Sequence, residues 1–377
     1  MKAKSIKGKT AAEIKTALAA SMADGFTPTV AIVLLEADIA QDEVCSVLSE
    51  KEIQVFGCST GSNFTDGEIE SGSVIIMLLE IKQEYFQIKL ATSENRSSKD
   101  TAEEIGKAGL SAFNKPSFLI VSGGITADGD EIVEGIENVC GKGVTIFGGL
   151  AADSLKMIRT FVFTKDRLTD NGIIALIFNE EKINLTGMAI GGWRPVGIEH
   201  TITHSVGNVL YSINNEPVLQ FISRYTGVKE FFGKNISNLI LSSNFQIQLL
   251  RENKHPVIRT PMYANPDDQS IVFAGSLPQG SKIRLCMLPG FEVIETALKE
   301  FAEYKNEQHE ADALIMFSCA GRQVSLGPYV SDEINGIKEI WNAPMAGFFC
   351  FGEIGRVEKD THEFHNMTCS LAILKEK

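Results

Sequence analysis

Apolar residues along the chain follow two rhythms. A spacing of three to four predicts helices: Thr10–Met22 with Ile14, Leu18 and Met22 on one stripe, a short segment carrying Val44, Val47 and Leu48, and Lys99–Phe113. It recurs with Ile132, Val133, Ile136 and Val139, and again with Ile334, Ile337, Ile340 and Trp341, where Ser331 is the predicted N-cap. Short, almost continuous apolar runs predict buried strands at Val30–Leu35, Ile53–Cys58, Ser73–Ile81, Ser117–Ser122 and Val144–Phe147. Further runs lie at Gly172–Phe178, Ala313–Ser318, Gly347–Phe351 and Met367–Leu374.

The order of these elements reads as a degenerate β-α-β-β repeat in three copies. Each copy carries a Phe-Gly mark, at Phe56, Phe147 and Phe351, spaced 91 and 204 residues apart. The unequal spacing excludes a solenoid. The three phenylalanines are expected to be buried, and Gly57, Gly148 and Gly352 to end strands. Between the second and third copies, Ile183 to Leu288 reads as β-rich, with hairpin signals at "SVGNV" and "ANPDDQS" and a helix over Glu216–Tyr225. In each copy the first two strands flank a helical crossover, so they should be parallel, with the third strand antiparallel to the second. The predicted class is α/β, or α+β, with mixed sheets covered by helices.

A length of 377 residues implies two or three domains, and 44% apolar with 22% charged residues is ordinary for a globular chain. A net charge of −13 disfavours nucleic acid and anionic membrane surfaces as partners. The longest apolar runs, "AIVLL" and "VIIMLL", fall far short of a bilayer span, and the N-terminus shows no apolar leader. Seven cysteines with no C-x-x-C pair point to reduced, buried thiols and a cytoplasmic location.

Ligands of open sheets bind beyond the carboxyl ends of parallel strands, where these marks fall. Glycines such as Gly149 and Gly352 would let backbone approach a ligand there. Copy one offers Cys58, Ser59 and Thr60; copy two offers Gly149 and Asp153; copy three offers Cys319, Arg322, Gly352 and Glu353. An Arg fork and a carboxylate are the partners that a free amino acid needs. Arg322 and Glu353 are thus expected on one rim, either binding such a ligand or pairing with each other. A nucleophilic role for Cys319 or Cys58 needs a base at hand, and no histidine has a suitable spacing to either. The "HEFH" run at His362–His365 has poor geometry for a metal on a strand, and no phosphate loop or dinucleotide fingerprint is present. Neither a cofactor nor a metal is expected.

In order along the chain, "FGCSTGSNFTDGEIESGSV", "FGGLAAD", "GWRPVG", "FSCAGR", "GFFCFGEIG" and "HEFHNMT" resemble the FIST family, the sensory domain named for F-box and intracellular signal transduction proteins. The resemblance spans roughly residues 28 to 374. It departs from the family pattern where "SNFTD" separates Gly61 from Gly67 and Glu68. It implies an N-terminal helical extension over 1–27, a FIST N-terminal domain over 28–214 and a C-terminal domain over 215–377. The implied function is non-enzymatic sensing of a small ligand, such as an amino acid or related carboxylate, for which the candidate binding residues are Arg322, Glu353, Cys319, Ser59, Thr60, Asp153, Gly149, Gly352 and Asn366. No output segment is visible, so a separate signalling protein is the expected partner, and self-association stays open. A cysteine-dependent enzyme and a ligand-free interaction module are the rival readings.

Overall fold

The computed structural model describes residues 1–227, 245–252, 254–287, 290, 292–307, 310–357 and 362–377. Its first unit runs β1 (Lys2–Gly8), α1 (Ala11–Ser21), β2 (Val30–Glu36), α2 (Gln41–Ser49), β3 (Gln54–Thr60), a hairpin of β4 (Asn63–Thr65) and β5 (Glu68–Glu70), then β6 (Val74–Glu80). The second repeats that order: β7 (Phe86–Thr92), α3 (Ser98–Ala112), β8 (Pro116–Gly123), α4 (Gly129–Cys140), β9 (Thr145–Leu150), the hairpin β10 (Val162–Phe163) and β11 (Leu168–Thr169), and β12 (Gly172–Asn179).

The third unit opens with β13 (Ile183–Ile190) and is then interrupted. The inserted elements are β14 (Arg194–Val206), β15 (Val209–Ile213), β16 (Glu216–Pro217), α5 (Val218–Thr226), β17 (Phe245–Arg251), β18 (Lys254–Arg259), β19 (Pro261–Asn265), β20 (Ser270–Phe273) and β21 (Lys282–Met287). The unit resumes with α6 (Glu292–Glu307), β22 (Ala313–Cys319), α7 (Ala320–Leu326), α8 (Val330–Trp341) and β23 (Met345–Cys350). It closes with the hairpin β24 (Glu353–Arg356) and β25 (His362–His365), and β26 (Cys369–Glu376).

Among the described residues the inserted strands build an eight-stranded sheet, and the three units build three six-stranded sheets of one topology. Their orders are β1-β6-β2-β3-β10-β11, β7-β12-β8-β9-β24-β25 and β13-β26-β22-β23-β4-β5. In each unit the two strands flanking the central helical crossover, β2 and β3, β8 and β9, and β22 and β23, are parallel. The closing strands β6, β12 and β26 run antiparallel to these and pair with β2, β8 and β22, not with β3, β9 and β23. The hairpin that follows β3, β9 or β23 leaves its own sheet. The first unit's hairpin joins the third sheet, the second's joins the first, and the third's joins the second. This cyclic exchange covers one edge of each six-stranded sheet with another unit's backbone, which removes an edge open to aggregation.

Alternation along the strands builds the layers. One face of each sheet enters a shared central core containing Phe56, Phe147, Phe178, Phe317 and Phe348. The other face of each is covered by its own helices, as with Ile14, Leu18, Val44 and Leu48 on the first sheet. Helix starts follow local chemistry. Thr10 Oγ1 accepts from Glu13 N, and Asp128 Oδ1 from Asp130 and Glu131 N.

Four expectations need correction. Residues 1–27 carry a strand as well as a helix, and β1 pairs with β6 along its whole length. Ser331 does not cap: α8 starts at Val330 after a 3-10 turn, and Ser331 Oγ donates to Pro328 O instead. Gly57 and Gly148 sit inside β3 and β9 rather than at their ends, and Gly352 lies in the bend between β23 and β24. Phe56 and Phe147 are buried, but Phe351 is only half-buried. By register, the counterpart of Gly57 and Gly148 is Gly347: these three pair with Val33, Ile120 and Met316 on β2, β8 and β22. Among the described residues, no helix is long and apolar enough to cross a membrane.

Candidate functional site

The strands β22 and β23 end side by side, with Cys319 opposite Cys350 in register. In-register residues of parallel strands present their side chains to the same face. Beyond this end lies a cavity of about 30 Å³, room for one or two waters. Three parts of the fold wall it: Leu155 from the loop after β9, Thr260, Met262 and Ala274 from the insertion, and Cys319, Ala320, Val324, Cys350, Phe351 and Asn366 from the third unit.

Glu353 lies behind the two thiols and is fully buried. Its Oε2 accepts from Thr368 N at 3.1 Å and Thr368 Oγ1 at 2.8 Å, and its Oε1 from Cys350 Sγ at 3.3 Å. No cation among the described residues pairs with it. Burial therefore outweighs these hydrogen bonds and pushes the carboxyl pKa up to about 8. Burial likewise holds the Cys319 and Cys350 thiols far above their usual range, helped by the neighbouring Glu353. Such thiols are protonated and weakly nucleophilic. Thr260 lines the cavity, and its hydroxyl is buried with no hydrogen-bond partner.

Gly149 belongs to this group through the exchanged hairpin, because β9 pairs with β24 and Gly149 lies opposite Glu353. A Cβ there would fall 2.8 Å from Gly352 O and 3.3 Å from Cys350 Sγ. Asn366 Oδ1 accepts from Thr260 N at 3.3 Å and ties the insertion to the same wall. The structure therefore gathers Cys319, Glu353, Gly149, Gly352 and Asn366.

Arg322 is not on this rim. It is fully buried, with Nε 2.8 Å from Glu333 Oε2 and Nη2 bonded to Glu333 Oε1. Its Nη1 donates to Gly191 O at 2.6 Å and to Met367 O at 3.3 Å, and the guanidinium packs 5.2 Å from the Trp193 ring centre. The expected Arg322–Glu353 clamp is thus replaced by an Arg322–Glu333 pair. Ser59 and Asp153 are also apart from the cavity and do structural work. Ser59 Oγ links Ala152 O to Phe161 N, and the Asp153 carboxylate accepts from Met157, Ile158 and Arg159 N. Thr60 is buried with its hydroxyl unpartnered.

Glu333, Thr260 and Thr368 escaped the sequence reading. Glu333 carried a legible mark: it falls among Val330, Ile334, Ile337 and Trp341 on the buried stripe of α8, where a carboxylate needs a partner. Thr260 carried none, because it reaches the cavity only through the packing of the insertion. His362 and His365 lie on a strand; His362 meets Phe147 edge-on, and burial lowers its pKa to about 3. Among the described residues no group of three or more His, Cys, Asp or Glu side chains is arranged to hold a metal ion.

No curated protein matches the chain. The FIST N domain family model matches residues 29–216 and the FIST C domain model residues 219–356. With both parts present in order, the chain belongs to the FIST family of signal-transduction sensory domains.

Proposed function

We propose that this chain senses a small molecule that enters the cavity at the ends of β22 and β23. The observation that supports this reading is the junction itself. One small space touches the loop after β9, the insertion and the third unit, so an occupant would bias how all three pack. Enlargement is part of the reading, because the cavity as it stands holds little more than water. An amino acid is the narrower form of this idea. Its ammonium end would suit Glu353, but the Arg322 fork expected for its carboxylate is engaged by Glu333 and two carbonyls. The protonated thiols favour sensing over cysteine chemistry.

The signal would pass to a separate output protein, in a reducing cytoplasmic setting consistent with seven unpaired cysteines. A thermal-shift panel of amino acids, carboxylates, amines and alcohols tests the reading. A ligand at 100 times its Kd adds about 2.7 kcal/mol to stability. Val324→Phe, which fills the cavity, should abolish the shift. A panel that moves nothing, or a shift that survives Val324→Phe, would remove the reading.

A further inference from the structure

The class of ligand can be argued from the one charge-bearing group at this site. Glu353 is wholly buried, and the polar side chains around it include Cys350 at the end of β23, Cys319 at the end of β22, Thr368 before β26, and His365 opposite it on β25. Cys369 on β26 is also close enough to feel its charge. None of these is a cation: burial keeps His365 neutral, with a pKa near 4. Oε2 has two strong donors from Thr368, whereas Oε1 has only weak thiol donation. That weakly held oxygen is the one bonded to Cys350, a wall of the cavity. On the same wall system the Thr260 hydroxyl is more than nine-tenths buried and unpartnered, and the Asn366 carbonyl oxygen holds only a long bond from Thr260 N.

The cavity wall itself is apolar, from Leu155, Met262, Ala274, Val324 and Phe351, and behind Cys350 lies Glu353, a buried carboxyl with no cation partner among the described residues. An ammonium group has three donors and no acceptor, and an alkyl tail would meet the lining. A carboxylate would find no free fork and would face Glu353. We propose that the ligand is a short primary amine whose ammonium binds the Glu353 carboxylate after displacing the Cys350 thiol from Oε1. The proposal rests on the cavity being the ligand site.

Protons must balance. The amine arrives as R-NH3+ and Glu353 starts as the neutral acid, so forming the ion pair releases one proton to solvent. Affinity should then rise about tenfold per pH unit between pH 6 and pH 8 and level off above, while the amine stays charged. Calorimetry with ethylamine, propylamine and ethanolamine, run in phosphate and in HEPES, reads the proton release directly from the difference in heats. Propanol and propionate are the neutral and anionic comparisons. The expected result is amine binding with close to one proton released at pH 6.5. Glu353→Gln should lose at least tenfold in affinity and all of the pH slope. Thr260→Val should weaken binding but keep the slope.

Amine binding without proton release would overturn the proposal, even if Glu353→Gln failed to fold. Binding of propanol or propionate at a site blocked by Val324→Phe, with no amine binding, would overturn it while leaving the sensor reading intact. If no compound of any class binds, both fall together.

Discussion

A single peptide unit stands between Arg322 and Glu353. The Met367 carbonyl accepts from Arg322 Nη1, and the Thr368 N–H of the same peptide donates to Glu353 Oε2. Met367 reaches this position with φ +61°, a left-handed conformation costly for a side chain of its kind. The peptide dipole is oriented favourably towards both groups, so the two halves of the expected clamp are coupled through backbone without touching. Arg322 is balanced on its other side by Glu333.

That balance gives the first prediction. Arg322 and Glu333 are both fully buried, so removing one leaves an uncompensated charge. Arg322→Met or Glu333→Leu alone should destabilise by about 3–5 kcal/mol. The double variant should be clearly more stable than the sum of the two losses implies. Urea denaturation of all four proteins measures this. Strict additivity would show that the pair contributes no mutual energy.

The second prediction concerns pH. Glu353 titrates near 8 in the folded chain but near 4.3 when unfolded. Between these values the folded state keeps a proton that the unfolded state has lost. Raising pH through that window therefore favours unfolding, by roughly 1.4 kcal/mol per pH unit. Glu353→Gln keeps an acceptor for Thr368 and removes the ionisation. Its stability relative to the parent should match near pH 4.5 and improve steadily towards pH 8. Parallel stability curves across that range would mean that Glu353 is ionised in the fold.

Sequence patterning carried most of the fold, because each buried strand and helix announces itself within its own residues. The run "VIIMLLE" at Val74–Glu80 and the stripe of α4 could be read without neighbours. The hairpin exchange could not, since β4, β10 and β24 are short and what selects their sheets is the partner across the gap. The site was half legible. Cys319, Glu353, Gly149, Gly352 and Asn366 lie together because strand ends collect ligating groups, a rule of topology. Arg322 followed the same rule and still turned elsewhere, because Glu333 on α8 offers a bidentate partner in a place that excludes water. The third Phe-Gly mark misled for a similar reason. Gly352 repeats the local sequence, whereas Gly347 repeats the register.

Register supplies the last prediction. Gly57, Gly148 and Gly347 each pair with an exchanged hairpin, opposite Phe163, Ile354 and Phe64 respectively. A Cβ at Gly148 would fall 2.0 Å from the Ile120 carbonyl oxygen, main chain that cannot step aside. At Gly347 it would meet both the Phe64 ring at 2.2 Å and the Met316 carbonyl at 2.4 Å. At Gly57 the nearest obstacle is the Phe163 ring, at 2.3 Å, a side chain that can shift more readily than main chain. Gly148→Ala and Gly347→Ala should therefore cost about 3 kcal/mol or more, and Gly57→Ala less, within the usual 1–3 kcal/mol of overpacking. Gly143→Ala is the control, with nothing within 4 Å of the added carbon, and should be neutral or slightly stabilising. Limited proteolysis adds a local readout: the first two variants should expose the β24–β25 and β4–β5 hairpins to cleavage before the helices. Equal stability of all four variants would show that these close contacts do not hold the exchanged hairpins in place.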